Sequence, residues 1–274
     1  MIAPREYIGQ LGGLVPVRAS SSLTVARESR YQEFLTVEGV RRVFMASRPQ
    51  PRSWDVDFPY LDFAAADTME AFALGLFGTG PFVWVPSDAQ IGSVLTPAQS
   101  ALRSLGAEFA AAGPVTVDGV SLPVSASVSI PSGWRGLVDV PVVPGVPVTA
   151  SVWVQSATGA PIISTGWVVG GGIPETQSVT GSSGGMWQRL SWTGVAPAGA
   201  SQLRLGVRSS VTAVAGPQVT WTRTTMPYAA GRSSTSVVVE SVGITPSLIS
   251  RTAHGRELLA DVKMRVLEVG DAGW

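Results

Sequence analysis

The sequence predicts a mainly β fold in which a β-sandwich or jelly roll is inserted into a second domain built of strands and one helix. Three observations carry this. Between Arg103 and Glu240 the chain nearly stops using charge, with Glu108, Asp118, Arg135, Asp139, Glu175, Arg189, Arg204, Arg208, Arg223 and Arg232 as its only charged side chains. That stretch is filled instead by Val, Ser, Thr, Gly, Pro and Trp in short runs broken by turn residues, the pattern of short sandwich strands. Past Gly231 ordinary charge density returns, and the closing segment is too short to bury a core alone, so it completes the domain that the N-terminal part begins. The expected division is therefore a discontinuous domain of residues 1–97 and 236–274 around an insert of residues 98–235.

In chain order, Glu33 to Val37 and Val40 to Ala46 are β-rich runs separated by the hairpin signal Glu38-Gly39. Trp54, Val56 and Phe58 alternate with Ser53, Asp55 and Asp57, which predicts a strand with one buried face. Asp67, with Glu70 three residues on and Gly78 beyond, frames a helix over Thr68 to Phe77 that turns Met69, Phe72, Ala73 and Leu76 to one side. Phe82 to Val85 is a short apolar strand closed by Pro86, and Leu95-Thr96-Pro97 reads as the linker out of the first domain. In the insert, Val148, Ala150, Val152 and Val154 alternate with polar residues and with Trp153. Leu203, Leu205 and Val207 alternate with Gln202, Arg204 and Arg208. Trp187 to Thr193 and Val219 to Arg223 are further strands; Pro144-Gly145, Gly170-Gly171-Gly172, Gly181 to Gly185 and Pro197-Ala198-Gly199 are loops. Ser236 to Val242 is a strand, and Glu257 to Val269 fits a long strand better than a helix.

The composition excludes several function classes. The 274 residues carry a formal net charge of +0, so nothing electrostatic favours nucleic acid or an anionic membrane surface. Cysteine is absent, which removes disulfides and thiolate metal sites. A mean hydropathy of +0.27 raises the question of a membrane span. The best stretch, Ala71 to Ser87, holds three glycines and two prolines and falls short of the ~20 apolar residues a spanning helix needs. The N-terminus shows no apolar signal-peptide core, which points to assembly in the cytoplasm.

Catalytic constellations are equally scarce, and no enzyme is expected. His254 is the single histidine, so histidine triads and multi-histidine metal sites lack members. Asp55 and Asp57 share a strand face, a spacing that suits a cation or paired-acid chemistry; a solvated strand face beside Arg52 explains them better. A calcium site at Asp118 or Asp139 has no acidic loop behind it, and the glycine run at 170–172 has neither a dinucleotide nor a Walker pattern. No cofactor and no metal is expected.

The tryptophans leave two readings open. Trp134, Trp153, Trp167, Trp187, Trp192 and Trp221 all fall in the insert, where they either fill the sandwich core or offer flat platforms to sugar rings. Alternation puts Trp153 out of phase with Val152 and Val154, and Trp187 out of phase with Leu190 and Trp192. Those two are therefore expected to face outward, with Gln155, Arg189, Arg204 and Arg208 as polar neighbours in a candidate glycan site.

With these pieces in place the chain resembles the siphophage distal tail proteins, minor tail proteins of phages of actinobacteria. The resemblance rests on Arg52-Ser53-Trp54-Asp55-Val56-Asp57 and on the helix leading into Gly78-Thr79-Gly80-Pro81-Phe82-Val83-Trp84-Val85-Pro86. It rests also on Leu95-Thr96-Pro97, on Pro144-Gly145 before the strand through Trp153, on Trp187-Gln188-Arg189-Leu190, and on Val219-Thr220-Trp221 leading to Pro227-Tyr228-Ala229-Ala230-Gly231. It implies a split β-barrel with one packed helix, forming a ring, hexameric by analogy, that joins the tail tube to the tail tip or baseplate. The insert is then a galectin-like or carbohydrate-binding-module-like domain projecting outward. Implied partners are other copies of the chain, the tail tube protein, the tail tip or hub protein, the tape measure protein and a host surface glycan. The implied location is the virion. The alternative is a carbohydrate-binding adhesion module that contacts the host cell wall.

Overall fold

A computed structural model describes residues 5–18, 20–27, 31–35, 41–45, 51–103, 105–252 and 255–269. In chain order the elements are β1 (Arg5–Gln10), β2 (Gly13–Arg18), β3 (Ser22–Arg27), β4 (Tyr31–Leu35), β5 (Arg41–Met45), β6 (Arg52–Asp62), α1 (Phe63–Ala73), β7 (Phe82–Val85), α2 (Ser87–Ile91) and α3 (Pro97–Ser100). There follow β8 (Phe109–Ala112), β9 (Val115–Val117), β10 (Val120–Leu122), β11 (Ser125–Val128), β12 (Trp134–Pro141), β13 (Pro147–Gln155), β14 (Ile162–Val169) and β15 (Thr176–Thr180). The last are β16 (Gln188–Val195), β17 (Ala200–Arg208), β18 (Ala213–Thr220), β19 (Ser234–Thr252) and β20 (Gly255–Glu268). The fold is mainly β, and the paired strands run antiparallel. Among the described residues no helix is long and apolar enough to cross a membrane. The expected turn at Glu38-Gly39, between the paired strands β4 and β5, and His254 lie outside the described residues.

The chain forms two compact units. Among the described residues the first takes Val17–Pro81 and residues 236–269; the second takes residues 5–16 and Phe82–Thr235. The boundary read from sequence stood at residue 97, whereas contacts put Phe82 to Leu95 in the second unit. Val83, Val85, Ala89, Val94 and Leu95 are buried in that unit's core, so they are no linker. Leu95-Thr96-Pro97 instead caps α3, where Thr96 and Gln99 exchange side-chain and backbone hydrogen bonds in a capping box. Gly231 sits against the carbonyls of Leu95 and Thr96, a fit that leaves no room for a side chain.

In the first unit the strand order β19-β20-β6-β3 is open among the described residues, so the expected barrel does not close. Trp54, Val56 and Phe58 from β6 and Ala260, Val262, Met264 and Val266 from β20 are buried, as period-2 alternation requires. Asp55 and Asp57 lie on the other face. Asp55 faces Arg265 at 3.6 Å and Asp57 accepts from Ser22 Oγ at 2.9 Å, which is the behaviour of a solvated strand face. Helix α1 packs on β6 and β20 through Ala66, Met69 and Phe72. It begins at Phe63, five residues before the expected start, because Asp62 rather than Asp67 is the N-cap and accepts from Ala65 N at 2.8 Å. It also ends early: Gly75 takes the left-handed φ of +73°, and Ala73 and Leu76, expected on the buried side, are exposed.

The second unit is a β-sandwich of a five-stranded sheet, β16-β13-β18-β11-β8, and a four-stranded sheet, β12-β17-β14-β15. Their inward faces share one core. Val148, Ala150, Val152 and Val154 come from the first sheet, and Val140, Ile163, Leu203, Leu205 and Val207 from the second. The small β9–β10 hairpin turns at Asp118-Gly119, whose φ values of +50° and +75° suit the primed turns that match strand twist.

Candidate functional site

The sandwich has two outward faces, and the predicted site residues divide between them. On the five-stranded sheet, Thr149, Ser151 and Trp153 point away from the shared core, as alternation foretells. They are nevertheless buried. The Trp153 ring is only 2% exposed, and with Val117, Leu122 and Ala215 it forms a separate apolar cluster beneath the β9–β10 hairpin. Tyr228 meets the ring edge-on at 5.7 Å, and Trp153 Nε1 donates to Asp118 at 3.3 Å. Trp187 packs half-buried against the same cluster. The outward platform expected of Trp153 and Trp187 is therefore absent: alternation identifies the face, but the hairpin and the chain around Tyr228 cover it.

Arg189 belongs to that covered layer. Its guanidinium stacks over Trp153 at 4.5 Å and donates through Nη2 to Ser151 Oγ at 3.0 Å, to Gln218 Oε1 and to the Met226 carbonyl at 2.9 Å. Nε is buried without an acceptor among the described residues, and desolvation pulls the group below the usual guanidinium range. Gln218 completes the seal by donating to the carbonyls of Gly92 and Pro227. Burial likewise raises the Tyr228 phenol. These groups tie loops to the sheet.

Arg204 and Arg208 occupy the outer face of the four-stranded sheet, where both are half-buried. Arg204 forks onto Asp139, with Nε to Oδ1 at 2.7 Å and Nη2 to Oδ2 at 2.6 Å, and this bidentate contact raises its affinity for its proton. The pair borders a groove of about 400 Å³ lined also by Gln99, Gly136, Leu137 and Val138. Asp139 is thus taken by an arginine and Asp118 by an indole. Among the described residues no group of three or more acidic or histidine side chains is placed to hold a metal ion.

The residue that sequence reasoning passed over is Trp134. It is half-buried, and the Cε3–Cζ3 side of its ring packs over Gly206, where a Cβ would come within 2.5 Å of Cε3. A β-bulge between Gly136 and Val138 shifts the phase of β12. Trp134, Gly136 and Asp139 consequently share the outer face although their spacing breaks alternation. The remaining tryptophans of the insert pack inside: Trp167 meets Trp192 edge-on at 5.4 Å, Trp192 Nε1 donates to Gln177 at 2.7 Å, and Trp221 meets Tyr7 at 5.1 Å.

No protein-family model matches the sequence, and no curated protein matches it. Solved structures show distant likeness. A tailspike domain of bacteriophage CBA120 aligns at a TM-score of 0.33 and 12% identity, over 47% of this chain and 21% of that one. A carbohydrate-binding module of Cellvibrio mixtus lichenase 5A, solved with cellotriose, aligns at 0.33 and 13% over 48% of this chain and 98% of the module. The subviral particle of infectious bursal disease virus aligns at 0.27 and 13% over 98% of this chain and 77% of that one. Likeness of this degree carries no information about function.

Proposed function

We propose that this chain is a non-enzymatic structural subunit of a long non-contractile phage tail, forming a ring that joins the tail tube to the tail tip. The observation that carries the reading is the β19–β20 hairpin of the first unit, whose strands run for 19 and 14 residues. Pairing of β20 with β6 begins only at Leu259, so Gly255–Leu258 continues the ladder with β19 but has no strand beside it on the β6 side among the described residues. Register sets Leu248 opposite Leu259 and Ile249 opposite Leu258. A two-stranded ribbon is marginal in water, and an open edge is a template for another chain, so a second copy supplies what this one lacks. Leu74 and Leu76, 68% and 75% exposed, add apolar surface in the same unit. Head-to-tail contacts of this kind either close or grow into filaments, and a tail of fixed diameter demands closure.

The resemblance to distal tail proteins supports the same reading, with a hexameric ring in the virion and the tail tube, tip and tape measure proteins as neighbours. Electron cryomicroscopy of the assembled tail tests it through copy number and symmetry, and one asymmetric copy would rule out a ring. Replacing residues 248–258 by a short turn should leave both units folded and abolish incorporation. A second reading, adhesion to a host glycan through the second unit, is favoured by one observation: Trp134 lies on the outer face of the sandwich beside Arg208.

A further inference from the structure

We propose that the outer face of the four-stranded sheet binds an acidic saccharide, with the pyranose face on Trp134 and a uronate carboxylate on Arg208. This rests on the adhesion reading above and adds the site and the ligand class.

The floor is one transverse row of the sheet. Gly136, Gly206, Ser164 and Ser178 stand side by side on β12, β17, β14 and β15. None carries a bulky side chain, so the row is flat. Trp134 starts two residues away on β12 and lays its ring across this row at Gly206. Arg208, the direct cross-strand partner of Trp134, reaches the same row from the same end, but over β14 and β15. Its Nε donates to Ser164 Oγ at 3.2 Å and its Nη2 to Ser178 Oγ at 3.4 Å. The ring therefore packs at β17 and the guanidinium at β14 and β15, and neighbouring strands are about 5 Å apart. That is the separation between the face of a hexopyranose and the acid group on its rim, so a single sugar unit spans both.

Charge fixes the ligand class. Arg135, Arg204 and Arg232 of this unit each have a carboxylate partner, Glu108, Asp139 and Asp88 respectively. Arg208 has two neutral hydroxyls. Ser164 and Ser178 also hydrogen-bond each other at 2.9 Å, so they hold the guanidinium in place without neutralising it. One positive charge, oriented and without a carboxylate partner among the described residues, matches one negative charge, and a planar guanidinium takes a carboxylate side-on. A stacking ring with a polar anchor at its edge is a normal recognition pair for an amphipathic ligand. Arg204, neutralised by Asp139, contributes hydrogen-bonding shape to the adjoining groove and no net charge.

Titration calorimetry on the full chain tests this with tetragalacturonate and its methyl ester, which share one sugar backbone and differ in the charge and one methyl group of each uronate. The acid form should bind at least tenfold more tightly than the ester. Arg208→Gln should erase that difference while leaving the melting temperature unchanged, and Trp134→Ala should abolish binding of both. Equal binding of acid and ester would overturn the charge assignment while leaving the adhesion reading standing. Binding of neither would overturn both. Binding unchanged by Trp134→Ala would move the site off this face.

Discussion

Trp153→Ala measures how firmly the covered face of the sandwich is closed. The ring is almost wholly buried, sits among Val117, Leu122 and Ala215, and carries the stacked Arg189 guanidinium on one side. Emptying an aromatic site of this kind costs about 3–5 kcal/mol. The upper half of the range is expected, because Arg189 has no carboxylate partner among the described residues and loses the π-face over which it is desolvated. For a domain of 150–250 residues each kcal/mol moves Tm by about 2–4 °C, so the second unit should melt roughly 8–20 °C lower. Calorimetry reads the transition of that unit, and urea titration with an unchanged m value confirms a stability change and not a looser native state. A loss below about 1 kcal/mol would refute the reasoning, since only an exposed ring is removed so cheaply. Trp134→Ala on the outer face is the internal control and should cost clearly less than Trp153→Ala.

In the first unit, Arg52 and Glu268 form an ion pair at 2.7 Å with side chains 4% and 11% exposed; Glu268→Ala should cost up to about 3–5 kcal/mol in chemical denaturation, because it breaks a buried pair in which the carboxylate accepts from Arg52 N, Nε and Nη2. Gly206→Ala would drive a methyl group into the Arg135 carbonyl and the Trp134 ring, costing about 1–3 kcal/mol and shifting the tryptophan emission as the ring is lifted. Glu108 is held below the ordinary glutamate value of 4.5, first by a backbone hydrogen bond at its own residue and then by Arg135. A carboxyl depressed on folding stabilises above its unfolded pKa, and that contribution disappears as pH falls through the folded value. Arg135→Ala should therefore move the Glu108 titration upward in NMR and weaken the acid-side loss of stability.

Much of the strand pattern was legible because period-2 alternation is a local signal. Trp54, Val56 and Phe58, or Leu203, Leu205 and Val207, reveal a buried face without reference to the rest of the chain, and the same rule sets Arg204 and Arg208 on the opposite one. What alternation cannot supply is the cover. Trp153 does leave the main core as predicted, yet it is buried by Leu122 and Tyr228, which lie far from it in sequence. Trp134 was missed for a different reason. The bulge at Gly136 and Val138 breaks the phase that would have linked it to Asp139, and a bulge in β12 is visible only from the register of its neighbour β17. At α1 two aspartates competed for the cap; Asp62 won because Ala64, Ala65 and Ala66 extend the helix forward to the end of β6.

The bulge in β12 also bears on how crowded copies of this molecule behave. β12 is the outermost strand of its sheet, and there the extra residue kinks the backbone beside the Arg204–Asp139 ion pair. A bent and charged border is a poor template for an incoming strand. A slip of one residue along β17 would drive Asp139 inward and turn Val138 and Val140 out to water, so the alignment is locked as well. Beside Gly255–Leu258 the ribbon of β19 and β20 has no neighbouring strand on the β6 side among the described residues. Association is thereby given a direction: one margin of the molecule turns strangers away while another stays receptive, and subunits packed at high density are channelled toward a single mode of joining.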